Sequence, residues 1–144
     1  MGEYFVDLQN LAALKIEKIE NTKNCLISVP IGVKNSLARI MGVSNSIIGD
    51  GMMPVEYSEL SAMVLREDGY NPSVSVENEI VVNLSETYSV GISFEVVADV
   101  SEFNKTKKFM ARIDGKECGY LYNNNIENSI ANDVYDALKS KLSI

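Results

Sequence analysis

Apolar residues recur along this chain at two different periods. From Tyr4 to about Leu14 the spacing is helical and places Phe5, Leu8, Leu11 and Ala12 on one face. Lys15 to Pro30 reads as extended, with Cys25-Leu26-Ile27-Ser28-Val29 as the strand it predicts. Val33, Leu37, Ile40 and Met41 then suit a short helix that stops at Gly42. Gly, Ser, Asn and Asp crowd the stretch from Gly42 to Pro54, which reads as a loop. A further helix is expected from Pro54 to about Arg66. Pro54 fits its first position, Glu56 and Glu59 complement the dipole at its start, and Gly69 can supply a left-handed cap. Leu60, Met63 and Val64 would be its core-facing residues.

Beyond Pro72 the period becomes two. Val74 and Val76, then Ile80, Val82 and Leu84, then Tyr88, Val90, Ile92, Phe94 and Val96 alternate with polar neighbours, as half-buried strands do. Glu77-Asn78-Glu79 is expected to turn one strand into the next. Asp114-Gly115 predicts a type I′ hairpin. Its register would place Ala111 opposite Cys118 and Phe109 opposite Tyr120 on an apolar side, with Arg112 opposite Glu117 on the other. Asn125 then caps a terminal helix in which Ile126, Ile130, Val134, Leu138 and Leu142 recur every fourth residue. Together these elements predict one α+β domain over residues 1–144. Its antiparallel sheet of about five strands is covered on one face by helices, including the C-terminal amphipathic helix. The other sheet face would show Ser89, Gly91, Ser93 and Glu95.

Composition fits a chain able to bury one core, with 46% hydrophobic residues in 144. The apolar runs are too short for a helical membrane span, the start lacks a basic region followed by an apolar one, and Val6 stands where myristoylation expects Ser or Thr. A cytoplasmic address is expected. Cys25 and Cys118 are far apart and lack CxxC spacing, so neither a disulfide framework nor a zinc knuckle is indicated; one long-range disulfide stays open, and Cys118, alternating with Tyr120 and Tyr122, is read as a small buried hydrophobe.

Charge changes the picture more. Of the net −7, residues 42–104 carry eleven carboxylates against the single cation Arg66, a local −10. The flanks are basic: Lys15 to Met41 and Lys105 to Lys116 each hold five cations. Segregation of this kind bears on partners and steering.

Histidine is absent, which removes the usual base from nucleophilic triads. GxSxG, SxxK, GxGxxG, GxxxxGK and the DxDxDG calcium loop are missing as well. Paired acids such as Glu56 with Glu59, or Glu77 with Glu79, read as solvated charge, so neither an enzyme, a cofactor nor a metal is expected. Net charge disfavours direct nucleic-acid binding. Lys105, Lys107 and Lys108 beside Phe103 and Phe109 form a local exception, better explained as a charged loop leading into the hairpin.

The leading expectation is a non-catalytic binding protein of inhibitor, adaptor or chaperone type. It would present acidic surface to a partner protein with a basic surface, such as a nucleic-acid-handling protein, by mimicry of the nucleic-acid backbone. Small accessory proteins of phages and mobile elements are an analogy in size and charge alone, and small acidic secretion chaperones are another. The contact residues expected are Glu56, Tyr57, Glu59, Glu67, Asp68, Tyr70, Glu77, Glu79 and Glu95, with Tyr122 as a further contact and the Met52-Met53 pair either an adaptable apolar contact or tucked beneath its loop. Tyr88, Tyr120 and Tyr135 are read as core. The alternative is a small-ligand binder with a pocket between sheet and helices, using Lys105, Lys107, Lys108 and Arg112 for an anion. A bare strand edge or the polar sheet face would support a homodimer.

Overall fold

A computed structural model of the chain describes residues 2–43, 55–57, 62–68 and 71–143. The elements are α1 (Gly2–Met41), β1 (Val55–Tyr57), β2 (Ala62–Asp68), β3 (Asn71–Asn83), β4 (Ser89–Asp99), α2 (Val100–Thr106), β5 (Lys108–Ile113), β6 (Lys116–Leu121) and α3 (Ile126–Leu142). The six strands form one antiparallel sheet in the order β1-β3-β4-β5-β6, with β2 sharing the edge of β3 that β1 uses. The α+β class expected from the pattern is therefore the observed one.

The first correction is α1, a single helix of 40 residues where two helices and a strand were expected. Ile19, Thr22, Leu26, Val29, Val33 and Leu37 are buried at intervals of three and four, which is one continuous helical stripe. Docking that stripe on β3, β4 and α3 outweighs the strand-like composition of Cys25 to Val29 and the helix-breaking tendency of Pro30. Thr22 and Ser28 donate their hydroxyls to the carbonyls of Lys18 and Cys25, the local bonding that lets such residues sit inside a helix.

The second correction concerns Pro54 to Arg66, where β1 and β2 replace the expected helix. Ala62–Asp68 runs against Asn71–Glu77 with two residues between the paired Asp68 and Asn71. A strand partner so near in sequence overrides the local cap signals, since a glycine at 69 is as compatible with a hairpin as with a helix end. Pro72 is tolerated in β3 because the ladder to β4 begins only at Ser73. Met52 and Met53 lie outside the described residues.

The third correction lies within β3. Glu77-Asn78-Glu79 is not a turn: β3 runs straight through it for 13 residues, paired to β4 from Ser73↔Asp99 to Asn83↔Ser89. Alternation holds throughout. Val74, Val76, Asn78, Ile80 and Val82 are buried, and on β4 so are Val90, Ile92, Phe94, Val96 and Ala98. Tyr88 precedes β4 and is 56% exposed, contrary to its core assignment.

The hairpin is as expected. Asp114 (φ 53°) and Gly115 (φ 86°) are both left-handed, and Arg112↔Glu117, Ala111↔Cys118 and Phe109↔Tyr120 are register pairs. Between β4 and β5, in place of a charged loop, stands α2. The Asp99 side chain accepts from the Glu102 backbone amide (2.9 Å) at its start, and Lys107 in the left-handed region closes it. Phe103 and Phe109 are buried, so they are core residues and offer no stacking platform. Tyr122 also packs against the core, edge-on to Phe103 and hydrogen-bonded to Ser28 (3.1 Å), which removes it from the interface candidates. In α3, Ile126, Ile130, Ala131, Val134 and Leu138 are buried, while Leu142 is exposed.

All described helices pack through this one core. On the far face the side chains of β3, β4, β5 and β6 are exposed or half-buried, with no described helix over them. At the other end of the molecule α1 outruns the domain, and every residue from Gly2 to Lys18 is exposed. Asn104 of α2 marks where the domain takes hold of it: its Nδ2 lies within reach of the Lys18 carbonyl (3.2 Å) and Thr22 Oγ1 (3.1 Å), and its Oδ1 accepts from Asn21 (3.1 Å).

A candidate acidic interface on the open sheet face

The straight course of β3 decides where the acids go. Odd-numbered residues of a strand whose even-numbered residues are buried must point to the open face, so Glu77 and Glu79 emerge side by side there. Register then sets Glu77 directly opposite Glu95 and Glu79 opposite Ser93. On the far side of β4, Arg112 stands opposite Glu95, and Glu117 follows across the hairpin. Four carboxylates and one guanidinium thus share the open face of four adjacent strands. Glu77, Glu79, Ser93, Glu95 and Arg112 border a shallow depression of about 450 Å³.

Arg112 divides its fork, donating from Nη1 to Glu95 (2.8 Å) and from Nε to Glu117 (2.9 Å). Those bonds and the two negative charges hold it protonated more firmly than an ordinary arginine, the bond to Glu117 contributing most. Glu95 is the least solvated of the acids, its side chain 17% exposed. Burial pushes its carboxyl above the usual carboxylate range, a hydrogen bond with Glu77 adds to this, and Arg112 opposes both. Gly91 gives Glu79 its room, since a Cβ there would lie 3.3 Å from the Glu79 carboxyl carbon.

A raised pKa in the folded state means that the native protein binds more protons than the unfolded chain just above the ordinary value of 4.5. Stability therefore falls as pH rises through that window, and the contribution is fully present only below it. Glu95→Gln is expected to flatten this part of the profile. Urea unfolding of both proteins from about pH 4 to 7 measures it, and a pH-independent difference between them would contradict the assignment.

Of the other expected contact residues, Glu56 and Tyr57 lie in β1 opposite Val81 and Ile80, and Glu67 and Asp68 in β2 opposite Pro72 and Asn71. Glu59 and Tyr70 lie outside the described residues. Among the described residues, the four cations of the alternative site are not brought to one depression. Arg112 belongs to the acidic face, Lys108 borders a separate depression with Phe109, Tyr120 and Leu121, Lys107 lies over the Phe103 ring (5.3 Å), and Lys105 is in the last turn of α2. Glu117 was not among the expected contact residues, although its pairing with Arg112 was legible from the hairpin register.

Among the described residues no group of three or more Cys, Asp or Glu side chains is placed to hold a metal ion. No described helix is long and apolar enough to cross a membrane. Comparison with protein-family models, with curated proteins and with solved structures returned no match for this chain.

Proposed function

We propose that this chain is a non-catalytic binding protein whose open, acidic sheet face receives a basic protein partner. The observation that carries the reading is the gathering of Glu77, Glu79, Glu95 and Glu117 on one face that no described helix covers, with Arg112 bonded to Glu95 and Glu117. Two of these acids, Glu95 and Glu117, are bridged by Arg112, which fixes their positions; Glu77 and Glu79 extend the negative field beyond it. A rigid sheet holds the charges without further ordering, so little conformational entropy is lost on docking. Long-range attraction would speed encounter and select for positive surface, while the half-buried Val81 and Val97 on the same face supply apolar contact. A partner that handles nucleic acid carries suitable surface, and inhibitor, adaptor and chaperone roles are all served by this one contact.

The test is capture from the native host on the immobilised full chain, compared with Glu77→Gln/Glu79→Gln. Both substitutions are at exposed positions, so the fold should persist. A specific basic protein should be retained at low salt, released at high salt, and held at least about tenfold more weakly by the variant. Retention indifferent to both salt and substitution would refute the reading.

A further inference from the structure

The exposed length of α1 is not explained by the acidic face. Gly2 to Lys18 projects from the domain by about 25 Å at 1.5 Å per residue. Its side chains at Tyr4, Phe5, Leu8 and Leu11 are 83%, 62%, 65% and 62% exposed. At helical spacing Tyr4, Leu8 and Leu11 lie on the same side as Ile19, Thr22 and Leu26, so they continue the stripe that is buried once α1 reaches the sheet. A free helix of this length is marginal in water without something against its apolar side.

We propose that this segment pairs antiparallel with the same segment of a second copy of the chain. Charge selects the occupant and its direction. Glu3 and Asp7 lie at one end of the projecting stretch, and Lys15, Glu17 and Lys18, net positive, at the other. Antiparallel overlap sets acid against base at both ends, whereas parallel overlap sets like against like. A two-fold axis between Gln9 and Asn10 seats Leu8 of one copy against Leu11 of the other, and brings the stem of each Lys15 to the opposing Tyr4 ring. Residues 2–17 overlap, with the two domains at opposite ends. Tyr4, Leu8 and Leu11 offer each copy roughly 400 Å² along the seam, with Phe5 at its flank, so the pair hides about 800 Å², the small size of a weak, reversible interface. An anionic membrane surface is a poorer fit, because the stretch holds Glu3, Asp7 and Glu17 against Lys15 and Lys18 and lacks a basic face.

Sedimentation equilibrium of the full chain reads the proposal directly. The unmodified protein should sediment as a dimer at micromolar concentration. Leu8→Glu/Leu11→Glu, at two exposed positions, should raise the dissociation constant by more than about a hundredfold while the thermal transition of the monomeric domain persists. Asp7→Lys should weaken the dimer, and Asp7→Lys/Lys15→Asp should restore it, which a parallel pair would not do. A monomer at all accessible concentrations, a dimer indifferent to the leucine pair, failure of the charge exchange to restore pairing, or binding of the monomer to anionic phospholipid vesicles would each overturn it.

Discussion

Phe94→Ala is expected to lower the unfolding free energy by about 3–5 kcal/mol, the cost typical of truncating an enclosed aromatic. Phe94 sits on β4, flanked on one side by β3 and on the other by β5, and is 1% exposed. Its register neighbours are Asn78 and Ile113, both buried. A hole at this point cannot collapse easily, because the strands on both sides are held by their own ladders. It would also open space beside the buried amide of Asn78. Phe94→Leu keeps most of the volume and is expected to cost under about 1.5 kcal/mol. The measurement is the urea midpoint at fixed protein concentration with an unchanged m-value, or a fall of roughly 10–15 °C in Tm for the alanine variant. A loss below about 1 kcal/mol for alanine would mean that the sheet and helices do not close over β4 as described.

The elements legible beforehand are those whose evidence is local. Asp114-Gly115 fixes a two-residue turn by its left-handed pair, and the turn fixes every pairing of β5 with β6. The alternation from Val90 to Val96 and the four-residue repeat of α3 carry their own partners' requirements in the same way. α1 was hidden by composition: Cys25 to Val29 resembles a strand, and Pro30 suggests a boundary. The three-and-four spacing from Ile19 to Leu37 was nevertheless available. β2 was hidden by ambiguity, because Pro54, two early glutamates and Gly69 serve a helix as well as they serve other structures, and only the neighbouring Val74 and Val76 ladder decides. α2 had a usable signal in Asp99 three residues ahead of Glu102.

The candidate interface follows the same logic. Glu77, Glu79 and Glu95 could each be named as exposed acids, yet their convergence required β3 to pass through Glu77-Asn78-Glu79 without turning. That depends on the length of β4, a tertiary fact. The Arg112–Glu117 pair was readable from the hairpin alone. The bond from Arg112 to Glu95 was not, since the β4–β5 register is set by how α2 closes the connection between them.

Pro30 allows the account of α1 to be tested with the opposite sign. Proline in a helix interior lacks the amide that would bond the carbonyl of residue 26, and its ring crowds that carbonyl, a cost of about 3 kcal/mol relative to alanine. Pro30→Ala restores the amide and relieves the crowding. It also removes part of a buried ring, since Pro30 belongs to the stripe that meets the core, and that loss is about 1–2 kcal/mol. The net expectation is a gain of about 1–2 kcal/mol, accompanied by slower amide exchange around Leu26 and Pro30 as the helix closes its one missing rung. Were residues 25–29 a strand ending at a proline boundary, the same substitution would add no helical bond, and lost packing would make the variant less stable. The sign of the change in urea midpoint therefore separates one 40-residue helix from a strand followed by a short helix. A destabilised Pro30→Ala with unchanged exchange at Leu26 would break the continuity of α1 on which both its docking stripe and its projecting end depend.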